Sequence, residues 1–210
     1  MPSIMSVRKF FPVLLVAFFG LGVLGFILAT GGKPDEMIEQ AAILHVREKL
    51  AGMNRTEGKD FTIGEVEILS KPGQKAIVAV PLESTVKDVP PHFLLELDET
   101  GGEWSVREDL RELFSRIATG KEFVSAVGNR LSQLYAERYR IGVTIREGTP
   151  FTVGVERTGK EVMGTFEFRF SIARSDGKHD RGVYSERFKY DGEEWVRQGR
   201  GQLLESYAPR

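Results

Sequence analysis

The chain has 210 residues, of which 41% are hydrophobic and 28% are charged, and its formal net charge is −1. This composition is typical of a globular protein that is long enough to bury a core, and it excludes an intrinsically disordered chain. The near-neutral charge gives no indication of a nucleic-acid partner, and none is expected. The absence of cysteine excludes disulfides, thiolate metal sites, a cysteine nucleophile and a lipoprotein anchor.

The first predicted element is an uncharged run over residues 10–32 that follows Arg8 and Lys9. About 20 residues of helix span the hydrocarbon core of a bilayer, so this run predicts a single transmembrane anchor. The basic pair in front of it places residues 1–9 in the cytoplasm and residues 33–210 outside the cytoplasm. The sequence therefore predicts a single-pass membrane protein whose bulk is extracytoplasmic.

The end of this run leaves two further interpretations open. Residues 29–32 are small, so cleavage as a signal peptide followed by secretion is the alternative to a retained anchor. Gly25 and Ala29 form a small-xxx-small pair through which two spans could approach closely, which leaves a homo-oligomer open.

Two later segments carry apolar residues at helical spacing. Pro34, Asp35 and Glu36 start the first, since proline and acidic residues favour a helix N-terminus, and the helix is expected to end near Gly52. The second segment, KEFVSAVGNRLSQLYAERYR, has one apolar face. This face consists of Phe123, Val127, Leu131, Leu134 and Tyr135.

Strand-like runs separated by turn residues follow each of these helices. The runs lie at 61–69, 75–82, 92–98 and 103–106 in the first half, and at 151–157, 161–173, 182–190 and 194–197 in the second. SDGKHD is expected to form the tip of a hairpin. A linking helix is predicted over EDLRELFSRIA, and a matching segment over GQLLESYAPR.

The two halves share markers in the same order. FTIGEVE starts at Phe61 and FTVGVER starts at Phe151, 90 residues later. The two tryptophans follow in register, since Trp104 lies 43 residues after Phe61 and Trp195 lies 44 residues after Phe151. Two markers that repeat together indicate a tandem duplication.

One helix followed by a four-stranded antiparallel sheet, ending in DETGGEWSV or YDGEEWV, resembles the cystatin-like superfold, which includes nuclear transport factor 2-like domains. The predicted fold is therefore α+β, with an N-terminal transmembrane helix and two tandem cystatin-like repeats over residues 33–118 and 119–210. Each repeat is expected to pack one helix on a roughly four-stranded antiparallel sheet. The resemblance implies a membrane-anchored bacterial envelope protein and carries over no active-site residue.

The polar residues do not form a recognisable catalytic pattern. His45, His92 and His179 lack metal-site spacing, so each is interpreted as structural. Asp60 and Asp109 are the candidate acids or bases of an isomerase-like or dehydratase-like site, but their positions at element ends favour capping or turns. No catalytic, cofactor-binding or metal-binding residue is predicted, and no cofactor is expected.

Other notable side chains are also assigned to structure or solvent. The carboxylate pairs Asp98/Glu99 and Glu193/Glu194 are expected in turns. Core packing is favoured over ligand binding for the large aromatic side chains. These are Trp104, Trp195, Phe166, Phe168 and Phe170.

The charge differs between the halves, with a net of −7 over residues 34–120 and +3 over residues 121–210. The second half is rich in arginine, which suits docking between the repeats or separate partner surfaces. This set includes Arg138, Arg140, Arg146, Arg169, Arg174 and Arg181. The favoured function is a non-catalytic interaction or assembly module of the bacterial cell envelope, with the membrane and other envelope proteins as partners. The alternative is a small-ligand-binding protein or an enzyme that uses the cone-shaped pocket of a cystatin-like domain.

Overall fold

The computed structural model describes residues 33–207. Three helices lie in this part of the chain, namely α1 (Pro34–Gly52), α2 (Leu110–Ala118) and α3 (Lys121–Tyr139). The strands within the same residues are β1 (Phe61–Ile63), β2 (Glu67–Ser70), β3 (Lys75–Ser84), β4 (His92–Thr100), β5 (Glu103–Asp109), β6 (Val143–Thr158), β7 (Glu161–Arg174), β8 (His179–Tyr190) and β9 (Trp195–Tyr207).

The described chain divides into two compact units. Within the described residues, the first unit includes residues 33–93 and Leu97–Arg107, and the second includes Leu94–Glu96 and residues 108–207. Helix α2, which the repeat pattern assigned to the end of the first half, therefore groups with the second unit.

The first unit has a five-stranded sheet in the order β1-β3-β4-β5, with β2 also paired to β3. Helix α1 starts and ends where the sequence predicted. It buries Ile38, Ala42, Val46 and Leu50, which recur every four residues and so lie on one face of the helix. The core of this unit combines that face with the buried central residues of β3.

The single strand predicted over residues 61–69 is divided at Gly64. Strand β1 pairs with the end of β3 and β2 pairs with its start, and the Gly64 amide between them donates to the Pro81 carbonyl. A Cβ atom at Gly64 would lie 3.2 Å from the Pro81 ring. The glycine therefore allows the close approach at which the chain leaves one pairing and starts the other.

The second unit has a four-stranded antiparallel sheet in the order β6-β7-β8-β9. Alternate residues of β7 and β8 are buried, so this sheet has an inner face against the helices and an outer face. The inner row of β7 includes Phe166, Phe168 and Phe170, as the FEFRF alternation predicted. Aromatic rings from α3 pack on this row. The ring centre of Phe123 lies 5.0 Å from that of Phe166, and the ring centre of Tyr135 lies 6.0 Å from that of Phe170.

The prediction of two tandem cystatin-like repeats is wrong. The first sheet has five strands instead of about four, and the second unit packs two helices on four long strands. The shared FT(I/V)G phrase starts a three-residue strand at Phe61, whereas Phe151 lies inside the 16-residue β6. Strand β6 continues through Gly148 and Pro150 with one bulge between Ile145 and Glu147 and another between Pro150 and Thr152. Residues 201–207 of the segment expected to match the linking helix lie in β9 instead, and its last three residues lie outside the described part of the chain.

The predicted transmembrane segment, residues 10–32, lies outside the described residues, as do residues 1–9 and the Gly25/Ala29 pair. Between residues 33 and 207, no helix is long and apolar enough to cross a membrane. The fold of the described chain is α+β, with helices packed on antiparallel sheets.

Candidate functional site: a buried ionic cluster in the second unit

The three histidines are dispersed over separate elements. His45 is half-buried on α1, His92 is half-buried at the start of β4, and His179 is exposed at the start of β8. No group of three or more histidine, aspartate or glutamate side chains among residues 33–207 is arranged to hold a metal ion.

The candidate acids Asp60 and Asp109 both bind backbone amides. Asp60 accepts a 2.8 Å hydrogen bond from the Thr56 amide, which closes a turn. Asp109 precedes α2 and accepts hydrogen bonds from the amides of Arg111 and Glu112 at 2.9 and 3.4 Å. Each carboxylate therefore satisfies amides that lack a partner at a turn or helix start.

The carboxylate pairs differ in their surroundings. Asp98 and Glu99 lie inside β4 instead of a turn, and Asp98 is 3.8 Å from the Arg107 guanidinium. Glu193 and Glu194 lie in the turn before β9, and both of their amides donate to Asp191 at 2.9 Å. The backbone hydrogen bonds from these residues hold the pKa of Asp191 below its usual value.

The tryptophans have the predicted placement at the start of the last strand of each sheet. Trp104 is buried on β5, with the Lys71 ammonium 5.7 Å from its ring centre. Trp195 is half-buried on β9 and contacts the rings of Phe114 and Tyr190 at 4.5 and 5.3 Å. Both rings pack as parts of their units.

The most distinctive polar group in the second unit is Glu186, whose side chain is fully buried in the inner row of β8. Arg130 on α3 donates to both of its oxygens, each at 2.6 Å, in a bidentate pair. The Tyr184 hydroxyl donates to Oε1 at 2.8 Å. Arg197 Nε on β9 lies 3.2 Å from the same oxygen but lacks the angle of a hydrogen bond.

Strand β9 bulges opposite this cluster. Ser185 pairs with Gln202 and Arg187 pairs with Gln198, so the single residue Glu186 faces the three residues 199–201. A Cβ atom at Gly201 would lie 2.0 Å from the Tyr184 hydroxyl oxygen. The bulge and its glycine therefore make the space in which the hydroxyl reaches the carboxylate.

The negative charge of Glu186 is matched by the positive charge of Arg130. The hydrogen bond to Glu186 holds the pKa of Arg130 above its usual value, so this guanidinium stays charged. Burial, followed by the hydrogen bond to Glu186, raises the pKa of Tyr184 to about 12. The carboxylate of Glu186 is buried, and its oxygens accept hydrogen bonds from Arg130 and Tyr184 within the unit. The geometry supports a structural tie between α3, β8 and β9.

Stability at alkaline pH is expected to report on Tyr184. The folded phenol holds its proton more tightly than the unfolded one, so the stabilisation is present below about pH 10. It is lost as the pH rises through about 12. The unfolding free energy of the native chain should therefore fall more steeply between about pH 10 and 12 than that of Tyr184→Phe, as measured by urea unfolding. Tyr139→Phe, which removes an exposed hydroxyl, should keep the native slope. Equal slopes for native chain and Tyr184→Phe would contradict this assignment.

Glu186 and Arg130 are not among the residues predicted from the sequence. The signal was present in β8, where Glu186 occupies an inner-row position between the aromatic residues Tyr184 and Phe188. Arg130 lies three residues after the buried Val127 on the apolar stripe of α3. A carboxylate and an arginine that each interrupt an apolar row are candidates for a buried pair.

The second unit also has an open cleft of about 420 Å³ between α3 and β6. Helix α3 approaches β6 closely here, since a Cβ atom at Gly128 would lie 3.1 Å from Ile145 Cδ1. The described lining residues are all uncharged. They are Val124, Ser125, Gly128, Asn129, Ser132, Val143, Thr144, Ile145, Gly148 and Phe168.

The arginine residues of the second half do not share one surface. Arg169 on β7 and Arg181 on β8 are exposed in the outer rows of the sheet, while Arg138 and Arg140 lie at the end of α3. Arg174 pairs with Asp176 and with the buried Asp180 at the β7–β8 turn, at 2.8 and 3.5 Å.

No family model, curated protein or solved structure matches this chain.

Proposed function

We propose that the chain is a non-catalytic interaction module, attached to a bacterial membrane and acting outside the cytoplasm with other proteins of the cell envelope. The location depends on the sequence of residues 1–32, where Arg8 and Lys9 precede the apolar run. The described residues contribute the interaction surface.

The observation that supports interaction over catalysis is the engagement of Glu186. This carboxylate is one of the buried acids of the second unit, and its oxygens bind Arg130 and Tyr184. A general acid or base needs a lone pair or proton that can reach a substrate. The buried charge is therefore better suited to holding the unit rigid. Recognition of a partner then depends on the exposed residues.

The outer face of the second sheet supports the same proposal. The outer row of β8, which we define as His179, Arg181, Val183, Ser185, Arg187 and Lys189, contains basic and neutral residues and no acidic ones. Arg181 and Arg187 are exposed. A row of one charge sign on an exposed sheet raises the rate and specificity of association with an oppositely charged protein.

A small-ligand function is the alternative, and the cleft between α3 and β6 would be its place. Its hydroxyl and amide groups, together with Phe168, would suit a neutral ligand of modest size. The cleft offers no charged side chain among its described lining residues, so it favours binding over acid–base chemistry.

The test uses the full chain with a reporter fused after Arg210, solubilised in detergent from membranes. The reporter is expected to be active only outside the cytoplasm, and a defined set of envelope proteins is expected to co-purify with the chain. Arg181→Glu combined with Arg187→Glu should remove this set, because the row then carries the opposite charge. Lys160→Glu, at the exposed β6–β7 turn, is the charge control and should retain it.

Single replacements of the candidate polar residues should leave co-purification unchanged. These replacements are His45→Ala, His92→Ala, His179→Ala, Asp60→Asn and Asp109→Asn. Loss of the partners in one of these variants, in a protein that still folds and reaches the membrane, would favour a chemical role for that residue. Release of the chain as a shorter soluble protein would contradict membrane attachment.

A further inference from the structure

We propose that the outer edge of β9 accepts an extended, acidic segment of a protein partner as a fifth strand of the second sheet. This inference rests on the proposed interaction function and specifies the partner's chemistry and the place where it binds.

The first argument is the edge itself. Strand β9 has 13 residues and lies last in the order β6-β7-β8-β9, so among the described residues it pairs with β8 alone. An edge strand presents a row of amide and carbonyl groups that another chain can bind. Edges that avoid pairing commonly carry lysine, proline or bulges, and β9 contains no lysine or proline but bulges at residues 199–201 and at Leu204, so residues 195–198 form its regular stretch.

The second argument is the exposure of apolar side chains along the edge. Val196 is 40% exposed and Leu204 is 50% exposed, and both are among the large apolar side chains that the described chain leaves most open. The bulge at residues 199–201 divides the edge into two stretches, with Val196 in the first and Leu204, a bulge residue between Leu203 and Glu205, in the second. A strand added to either stretch would cover one of them and gain apolar burial along with its backbone hydrogen bonds.

The third argument is charge. The outer row of β8 lies beside β9, and Arg187 and Lys189 stand directly opposite Gln198 and Val196. Their ion pairs, with Glu156 at 3.9 Å and Glu161 at 2.6 Å, join exposed side chains on β6 and β7 and are weak. Strand β9 itself contains Arg197 and Arg200, which lie 3.2 Å from Glu186 and 3.4 Å from Glu137, and one acid, Glu205, so the positive charge on this part of the outer face comes from β8. A segment that places carboxylates on the outer face would complement this row.

The same charges argue against a second copy of this chain as the occupant. Pairing β9 with β9 of another copy would bring two basic outer rows to the same sheet. Like charges near one another across a sheet are destabilising. Acidic side chains on the added strand avoid this repulsion.

The first experiment measures binding of labelled peptides to the full chain in detergent by fluorescence anisotropy. The probe is a peptide of about ten residues in which glutamate alternates with valine and threonine, a length that matches ordinary strands. Two matched peptides replace glutamate with lysine, or carry N-methyl groups on alternate backbone amides. We expect the glutamate peptide to bind at least about tenfold more tightly than either control, because each control removes the charge match or the hydrogen-bonding edge.

The second experiment places the binding on β9. Val196→Asp and Leu204→Asp add a charge at the edge, and Met53→Asp adds the same charge at a residue of the first unit that is 39% exposed. We expect the combined β9 variant to weaken binding of the glutamate peptide by about tenfold or more, and Met53→Asp to leave it within about twofold. Hydrogen exchange on the native chain should show that the peptide protects β9 amides, which provides the placement without any variant.

Equal affinity for the glutamate and lysine peptides, or protection of amides elsewhere than β9, would overturn the inference. Concentration-dependent self-association that the β9 variant abolishes would overturn it in favour of a second copy. If envelope proteins still co-purify with the β9 variant at native levels, the proposed interaction function stands and the β9 site is wrong.

Discussion

Replacement of Glu186 with alanine is expected to destabilise the second unit by about 3–5 kcal/mol. The variant removes the carboxylate that binds Arg130 at 2.6 Å through both oxygens and accepts the Tyr184 hydroxyl. The guanidinium and phenol would then lack their charged partner inside the unit. Loss of one member of a buried pair is more costly than loss of both, because the charge that remains is not compensated.

The measurement is urea unfolding followed by tryptophan emission in a Trp104→Phe background, which leaves Trp195 in the second unit as the reporter. Glu167→Ala removes a half-exposed carboxylate from the neighbouring β7 and should change the unfolding free energy by no more than about 0.5 kcal/mol. The double variant Glu186→Leu/Arg130→Leu should lose less than Glu186→Ala. Equal effects of Glu186→Ala and Glu167→Ala would show that the cluster does not stabilise the unit.

The elements that sequence reasoning predicted well have strong local signals. Helix α1 begins at Pro34 and ends at Gly52 as expected, because proline and acidic residues favour a helix start and an apolar stripe continues through the segment. Strands β7 and β8 alternate inner and outer residues over most of their length, and SDGKHD forms the turn region between them. In these segments, local propensity and tertiary burial favour the same structure.

The tandem repeat failed because a short shared phrase does not determine strand pairing. In the first unit, a Cβ atom at Gly64 would contact the Pro81 ring. At this glycine the chain stops pairing with the end of β3 as β1 and starts pairing nearer its beginning as β2. In the second unit, a Cβ atom at Gly154 would meet nothing within 4 Å, and the strand continues. The same glycine therefore has a structural role in one copy of the phrase and none in the other.

The length of strand β6 was underestimated for a related reason. Gly148 and Pro150 are residues typical of turns. The predicted strand therefore starts at Phe151, eight residues after the observed strand start at Val143. In the structure, a Cβ atom at Gly148 would lie 2.1 Å from the Phe168 ring, so the glycine is needed to seat a buried aromatic residue of β7. Such a requirement depends on the partner strand and cannot be read from the local sequence.

The candidate site depended even more on tertiary structure. Arg130 and Glu186 are 56 residues apart and lie on a helix and a strand. Inner-row placement of Glu186 suggests a buried acid, but the partner is defined only when α3 packs on the sheet. The outer edge of β9 was missed for a different reason, since residues 201–210 were assigned to a helix and the length of the edge strand was not apparent.

Replacement of Phe114 with alanine is expected to destabilise the second unit by about 3–5 kcal/mol, as loss of a large core aromatic residue does. Phe114 is fully buried on α2, and its ring centre lies 4.5 Å from that of Trp195 and 5.5 Å from that of Phe188. Its ring also covers Gly164, where a Cβ atom would lie 2.7 Å from the ring. Truncation would therefore leave a cavity between α2 and the inner face of the sheet, and the glycine beneath it cannot fill that space.

This variant also tests which of the two units α2 packs with and stabilises. Urea unfolding should be compared in two backgrounds, Trp104→Phe and Trp195→Phe, so that each unit is reported by its own tryptophan. Phe114→Ala should lower the midpoint reported by Trp195 and alter its emission in the folded state, because the rings are in contact. Ile117→Ala, at a residue of the same helix that is 38% exposed, should cost about 1 kcal/mol or less. A shift of the Trp104 transition alone would return α2 to the first half of the chain, where the repeat pattern had placed it, and would remove the packing on which the second unit is built.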